Sequence, residues 1–98
     1  ADMNPYLAMA ASLAAGIEGV RQQLSPPPAT TNAYSASDAP LLPRDLSEAI
    51  SLFRESDVAR YWFGSDFVEH YAVTRDWEIR QYQRAVTDWE LERYFESI

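Results

Sequence analysis

One stripe of apolar residues runs along the first part of the chain. Its members recur at helical spacing: Tyr6, Ala10, Leu13, Ile17, Val20 and Leu24. The opposite side is small and uncharged rather than polar: Ala8, Ala11, Ser12 and Ala15. A helix that is apolar on all sides is typically buried on all sides. The pattern therefore predicts a helix over residues 5–24 that needs two neighbours, and the other residues are not expected to supply both.

Local signals mark both ends of this helix. Asn4 can accept hydrogen bonds from the free amides of the first turn, and Pro5 fits the first helical position. Three consecutive prolines, 26–28, stop the helix, since proline neither donates nor follows a helical residue comfortably. Residues 25–44 lack helical spacing, which predicts an unusually long proline-rich loop. Its expected anchors are Tyr34, Leu41 and Leu42.

Helical spacing returns after the loop. Asp45 and Glu48 form a capping box at the start of a second helix. Its expected buried side is Leu46, Ala49, Ile50 and Phe53. A short third helix, 58–63, should end with Gly64 in a left-handed conformation, and Ser65 should cap a fourth helix that continues to about residue 85. The expected apolar face of the fourth helix is Phe67, Val68, Tyr71, Ala72, Ile79, Tyr82 and Val86.

A short terminal helix is expected over residues 87–98. Thr87 and Glu90 form a second capping box before it. A tail of this length is not stable alone, so it either folds back on the helices of residues 45–86 or places its aromatic side chains in another subunit. With no strand pattern and no internal repeat, the fold class is all-α, with four or five helices.

Charge and composition exclude several classes of function. The 98 residues suffice for one domain and include 15 acidic and 8 basic residues, a net charge of −7. This argues against nonspecific binding to nucleic acid or anionic membranes, since both require a basic surface. The absence of cysteine excludes disulfides and zinc–thiolate sites and agrees with a cytoplasmic protein. The uncharged run 3–17 is shorter than the roughly 20 residues that span a bilayer.

Candidate chemistry is sparse. His70 is the single histidine, and Asp66 and Glu69 lie close to it on the same predicted helix. Two ligands on one helix do not complete a metal site, and no second histidine or cysteine is present. A carboxylate run near the end of the chain is better explained as a solvated helix face with Arg93 as local partner: Glu90, Glu92 and Glu96. The sequence predicts no catalytic, cofactor-binding or metal-ligating residue.

Several motifs along the chain occur together in one enzyme family. The opening Asn4-Pro5-Tyr6-Leu7 and the Ala-Gly-Ile-Glu-Gly-Val that follows resemble one helix of the glutamine synthetase catalytic domain. The Asn-Ala-Tyr and Leu-Pro motifs resemble the family's proline-rich loop and the start of its next helix. The end of the chain resembles the bacterial group that includes the γ-glutamylpolyamine synthetases. The motifs lie in the family's order at residues 4–20, 26–28, 32–34, 42–50, 64–71 and 86–94.

This resemblance implies a fold and a reaction for the parent enzyme. The family joins a β-grasp domain to an α/β catalytic domain and assembles double rings. Its members phosphorylate the γ-carboxylate of glutamate with ATP and let ammonia or an amine attack it, aided by Mg²⁺ or Mn²⁺. The family's metal, nucleotide and glutamate ligands precede the helix that residues 4–20 resemble, and His70 does not match the metal histidine. None of those ligands can therefore be placed on this chain.

The chain is thus expected to be the C-terminal helical part, residues 1–98, of a cytoplasmic nitrogen-metabolism ligase. We expect it to pack on the rest of the catalytic domain and to join subunits of a homo-oligomer, and to be inactive alone. The expected contact residues are Tyr6, Leu7, Leu13, Ile17, Trp89, Tyr94 and Phe95. The alternative is a stand-alone acidic helical interaction module. A Glu-x-Arg motif encoded a few residues upstream of Ala1 would favour the ligase. A start codon at that place would favour the stand-alone module.

Overall fold

The computed structural model describes residues 3–35 and 39–95, and all regular structure in these ranges is helical. The predicted all-α class is confirmed for them. The helices are α1 Pro5–Arg21, α2 Leu46–Glu55, α3 Asp57–Phe63, α4 Ser65–Arg84 and α5 Asp88–Phe95, with a 3₁₀ turn at Ala33–Ser35. The chain forms two compact units, Ala1–Leu41 and Leu42–Ile98. Expectations for Glu96 and for the last turn of the terminal helix lie outside the described residues.

Helix α1 begins as predicted but ends three residues early. The Asn4 side chain accepts from the amides of Tyr6 and Leu7 at 3.0 and 3.2 Å. At the other end Gln23 adopts a positive φ of 54°. Its amide donates to the Val20 carbonyl, and the Leu24 amide donates to the Gly19 carbonyl at 3.0 Å. These two bonds form a Schellman motif, which closes the helix before the prolines are reached. This end could not be predicted from the sequence, because a glutamine occupies the position where glycine is usual.

The capping box predicted at the start of α2 forms only in part. The Glu48 amide donates to Asp45 Oδ1 at 2.8 Å, as expected. The Glu48 carboxylate, however, accepts from the Arg44 amide at 3.1 Å rather than from that of Asp45. Ser56 then caps α3 by accepting from the Ala59 amide at 3.0 Å. A single residue, Ser56, in an extended conformation separates the two helices.

Gly64 ends α3 and also stands at the N-cap of α4. Its amide donates to Arg60 and its carbonyl accepts from Val68. The predicted positive φ is confirmed at 84°, but ψ is 146°, so the conformation is extended and not left-handed helical. The prediction that Ser65 caps α4 was wrong, since Ser65 is already the first helical residue and the cap forms no side-chain hydrogen bond. Only glycine adopts this backbone conformation readily, which explains its presence between the helices.

The second capping box is confirmed at α5. The Thr87 amide donates to Glu90 Oε2 at 2.9 Å, and the Glu90 amide donates to Thr87 Oγ1 at 3.3 Å. Both amides belong to the free first turn that such a box satisfies. Residues 85–87 separate α5 from α4, so the terminal helix is a new helix with its own start.

A small core lies where α2 and α3 pack on α4. Ile50, Val68 and Ala72 are buried there, and Val68 has no exposed surface. Four half-buried rings surround these residues: Phe53, Phe63, Phe67 and Tyr71. Neighbouring ring centroids lie 5.6–6.5 Å apart, the distance at which aromatic pairs attract one another beyond their buried area. The unit Leu42–Ile98 therefore has a core of its own.

Two arginines tie these three helices together at the edge of the core. Arg54 Nη2 of α2 donates to Asp76 Oδ2 of α4 at 2.6 Å. Arg60 of α3 donates to the Arg54 carbonyl at 3.0 and 2.7 Å, and to Glu69 of α4 at 2.5 Å. The hydrogen bond to Asp76 raises the pKa of the Arg54 guanidinium, and partial desolvation opposes this increase. Arg54 thus stays charged throughout the pH range in which proteins are studied.

Candidate packing and subunit-contact surfaces

A continuous apolar face of α1 is exposed to solvent. We define the α1 apolar face as Tyr6, Met9, Leu13, Ile17 and Val20. Tyr6 is 84% exposed and Leu13 66%, and the other three are exposed as well. At 1.5 Å per residue this face extends roughly 21 Å along the helix. A contiguous exposed apolar patch is a candidate interaction surface. The predicted contact residues Tyr6, Leu13 and Ile17 all lie on it.

A different side of α1 is covered. Leu7 and Ala14 are half-buried there, and Glu18 is buried, with 6% of its surface exposed. The Glu18 carboxylate accepts from Arg21 Nε at 2.9 Å and Arg21 Nη2 at 2.6 Å, and also from the side-chain Nε2 of Gln22. Leu7, the fourth predicted contact residue on α1, is therefore separated from the α1 apolar face.

The Glu18–Arg21 pair leaves α1 electrically neutral. These two are the charged residues of the helix, and they neutralise each other within one turn. A carboxylate in the last turn opposes the helix dipole, and the adjacent guanidinium offsets that effect. The α1 apolar face contains no charged residue, so no charge has to be desolvated when this face is covered. This property suits packing against another apolar surface.

The three predicted contact residues of α5 are also exposed. Trp89 and Tyr94 pack edge to face with centroids 6.3 Å apart, and Arg93 lies 5.9 Å from the Trp89 ring centroid. Phe95 is 81% exposed. A fold-back onto the preceding helices would bury these rings, and in the described part of the tail they are not buried. The placement of the rings in another subunit stays a prediction.

The structure also contains a groove that sequence reasoning missed. It has a volume of about 540 Å³ and lies between the start of α2 and the end of α4, lined by Asp45, Leu46, Ser47, Glu78, Ile79, Tyr82 and Gln83. Leu46 was predicted on the buried side of α2 and is exposed, and Tyr82, on the predicted apolar face of α4, is exposed as well. Their helical spacing placed them correctly on one side of each helix. Helical spacing shows which side of a helix is apolar. It does not show how far along that side a neighbouring helix covers it.

The candidate ligands on α4 do not form a metal site. Glu69 is bound to Arg60 in an ion pair, while Asp66 and His70 are exposed. In residues 3–35 and 39–95, no three histidine, aspartate or glutamate side chains converge on a point. The described side chains therefore do not provide a set of ligands that fits a divalent metal ion. None of the helices in these ranges is both long and apolar enough to cross a membrane.

Comparison with known proteins agrees with the sequence motifs. Residues 1–94 match the family described as "Glutamine synthetase, catalytic domain". The chain is 48% identical to a glutamate–isopropylamine ligase of a Pseudomonas species, over all of this chain and 22% of that protein. It is 45% identical to the gamma-glutamylethanolamide synthetase GlnA4 of Streptomyces coelicolor, over 99% of this chain and 21% of that protein.

A eukaryotic relative gives the same result. The type-1 glutamine synthetase 2 of Dictyostelium discoideum is 43% identical, over 99% of this chain and 20% of that protein. The chain therefore spans about a fifth of the length of the curated relatives that it matches.

Proposed function

Because the chain belongs to the glutamine synthetase catalytic-domain family, we propose that it is the C-terminal helical segment of an ATP-dependent ligase that joins glutamate to ammonia or an amine. Within that enzyme its role is structural: it packs on the remainder of the catalytic domain and contacts a neighbouring subunit. The exposed α1 apolar face carries this proposal. It is the surface expected of a helix whose partner lies in the other four-fifths of the enzyme.

The chemistry of α1 supports packing on the catalytic domain. Ala8, Ala11 and Ala15 are small, so a neighbouring sheet or helix can approach the backbone closely. Leu13 and Ile17 supply apolar area, worth about 25 cal/mol for each Å² removed from water. The internal neutralisation of Glu18 by Arg21 leaves no uncompensated charge to be buried with the helix.

Helix α5 supports the subunit contact. Aromatic side chains dominate the energy of protein interfaces, and Trp89, Tyr94 and Phe95 present three of them on eight helical residues. The partner is a second copy of the enzyme, so the assembly is a homo-oligomer. The enzyme acts in nitrogen metabolism in the cytoplasm, with neither a membrane nor a nucleic acid as partner.

Catalysis belongs to other parts of the enzyme. ATP, together with Mg²⁺ or Mn²⁺, supplies the phosphoryl-transfer chemistry when bound there. Two relatives are named for the amines that they use or incorporate, isopropylamine and ethanolamine. These names favour ammonia or a primary amine as the substrate, and we infer that this segment contributes no ligand to it.

The decisive experiment measures ADP release by the full-length enzyme with ATP, glutamate and either ammonium, isopropylamine or ethanolamine. We expect release that depends on one of these amines. The 98-residue chain alone should release none under the same conditions. A full-length enzyme without amine-dependent release would refute the ligase assignment. Release by the isolated chain would refute the structural role.

Substitutions in the full-length enzyme test the two contacts separately. Leu13→Asp should lower the yield of folded enzyme, since it places a carboxylate in the proposed packing surface. Phe95→Ala should instead shift the enzyme to smaller oligomers in sedimentation, and Glu92→Ala on the same helix serves as its control. If Phe95→Ala leaves the oligomer intact, α5 is not a subunit contact.

A further inference from the structure

We draw no further inference here: the strongest candidate, the apolar groove that Leu46, Ile79 and Tyr82 line between the start of α2 and the end of α4, carries nothing because nothing in the structure shows what covers it.

Discussion

Helices α1 and α4 are of similar length but differ in how their apolar residues are covered. Helix α4 places Val68 and Ala72 in a core that its neighbours α2 and α3 complete. Helix α1 is more apolar overall, yet its largest side chains face solvent. Apolar content therefore does not decide burial. A helix is covered only where other elements, of the same unit or of a partner, present a matching face.

The sequences of the two regions reflect this difference. Residues 46–71 combine amphipathic spacing with large rings such as Phe53, Phe67 and Tyr71, which fill the space between short helices. Helix α1 has small residues on several sides, which is useful only if large neighbours approach from outside. We interpret residues 46–71 as self-sufficient and α1 as dependent on partners. The following variants test that distinction.

The largest effect is expected from Val68→Asp. Val68 is fully buried, and an ionised carboxylate without a partner at such a site costs several kcal/mol. Since small domains are stable by only about 5–15 kcal/mol, the unit Leu42–Ile98 should unfold. Near-ultraviolet circular dichroism of the 98-residue chain should lose the signal of its packed aromatic rings.

Val73→Asp is the matched control on the same helix. Val73 is 57% exposed, so the new carboxylate stays hydrated and the aromatic signal should persist. If both variants keep a cooperative thermal transition at the wild-type temperature, the core around Val68 does not hold the unit together.

A smaller loss of stability against unfolding is expected from Phe53→Ala. The Phe53 ring lies 6.5 Å from Phe63 and 5.8 Å from Tyr71, between centroids. Truncation of a core phenylalanine costs roughly 3–5 kcal/mol, and a half-buried ring belongs at the lower end of that range. Urea unfolding followed by tyrosine and tryptophan fluorescence measures the change. Leu52→Ala removes an exposed neighbour and should shift the midpoint far less, so equal shifts would contradict the aromatic cluster.

Glycine substitutions separate the two regions by backbone strain. Gly64→Ala should destabilise the unit Leu42–Ile98 by about 1–3 kcal/mol, since alanine at a φ of 84° is strained even though its Cβ would meet no atom within 4 Å. Gly16→Ala lies within α1, where the added Cβ is also free of contacts, and should stabilise that helix by about 0.5–1 kcal/mol. Opposite signs in thermal melts followed at 222 nm are expected, and a Gly64→Ala protein as stable as wild type would show that position 64 carries no strain.

Features of the fold that depend on residues close together in the sequence could be predicted. The caps at Asn4, Asp45 and Thr87 could be predicted because each side chain bonds to amides two or three positions away. The end of α1 could not, since Gln23 takes a conformation for which glutamine has no preference. At Gly64 the sign of φ was predictable from the residue type, but ψ depends on how α4 packs on α3.

The candidate contact surfaces were predicted only in part. The α1 apolar face could be predicted from the excess of apolar residues. Because α1 has no polar side, some of its apolar side chains must face solvent unless a partner covers them. The groove beside Leu46 and Tyr82 was missed, since its existence depends on where α2 begins relative to the end of α4. Spacing along one helix carries no information on that relation between two helices.

The smallest effect on folding, with a measurable effect on association, is expected from Leu13→Glu. Leu13 lies at the centre of the α1 apolar face, and in the isolated 98-residue chain this face should drive formation of dimers or larger species. A glutamate there should shift the chain to monomers in sedimentation equilibrium. The melting of the unit Leu42–Ile98 should change by less than about 0.5 kcal/mol, as expected for an exposed site outside it.

Gln81→Glu is the control for charge alone. It adds the same negative charge at an exposed position of α4 and should leave association unchanged. If both variants dissociate the chain equally, repulsion between acidic chains is responsible and α1 is not the contact. If wild-type protein is monomeric at every concentration that sedimentation can reach, the α1 apolar face does not self-associate, and the argument that it requires a partner loses its main support.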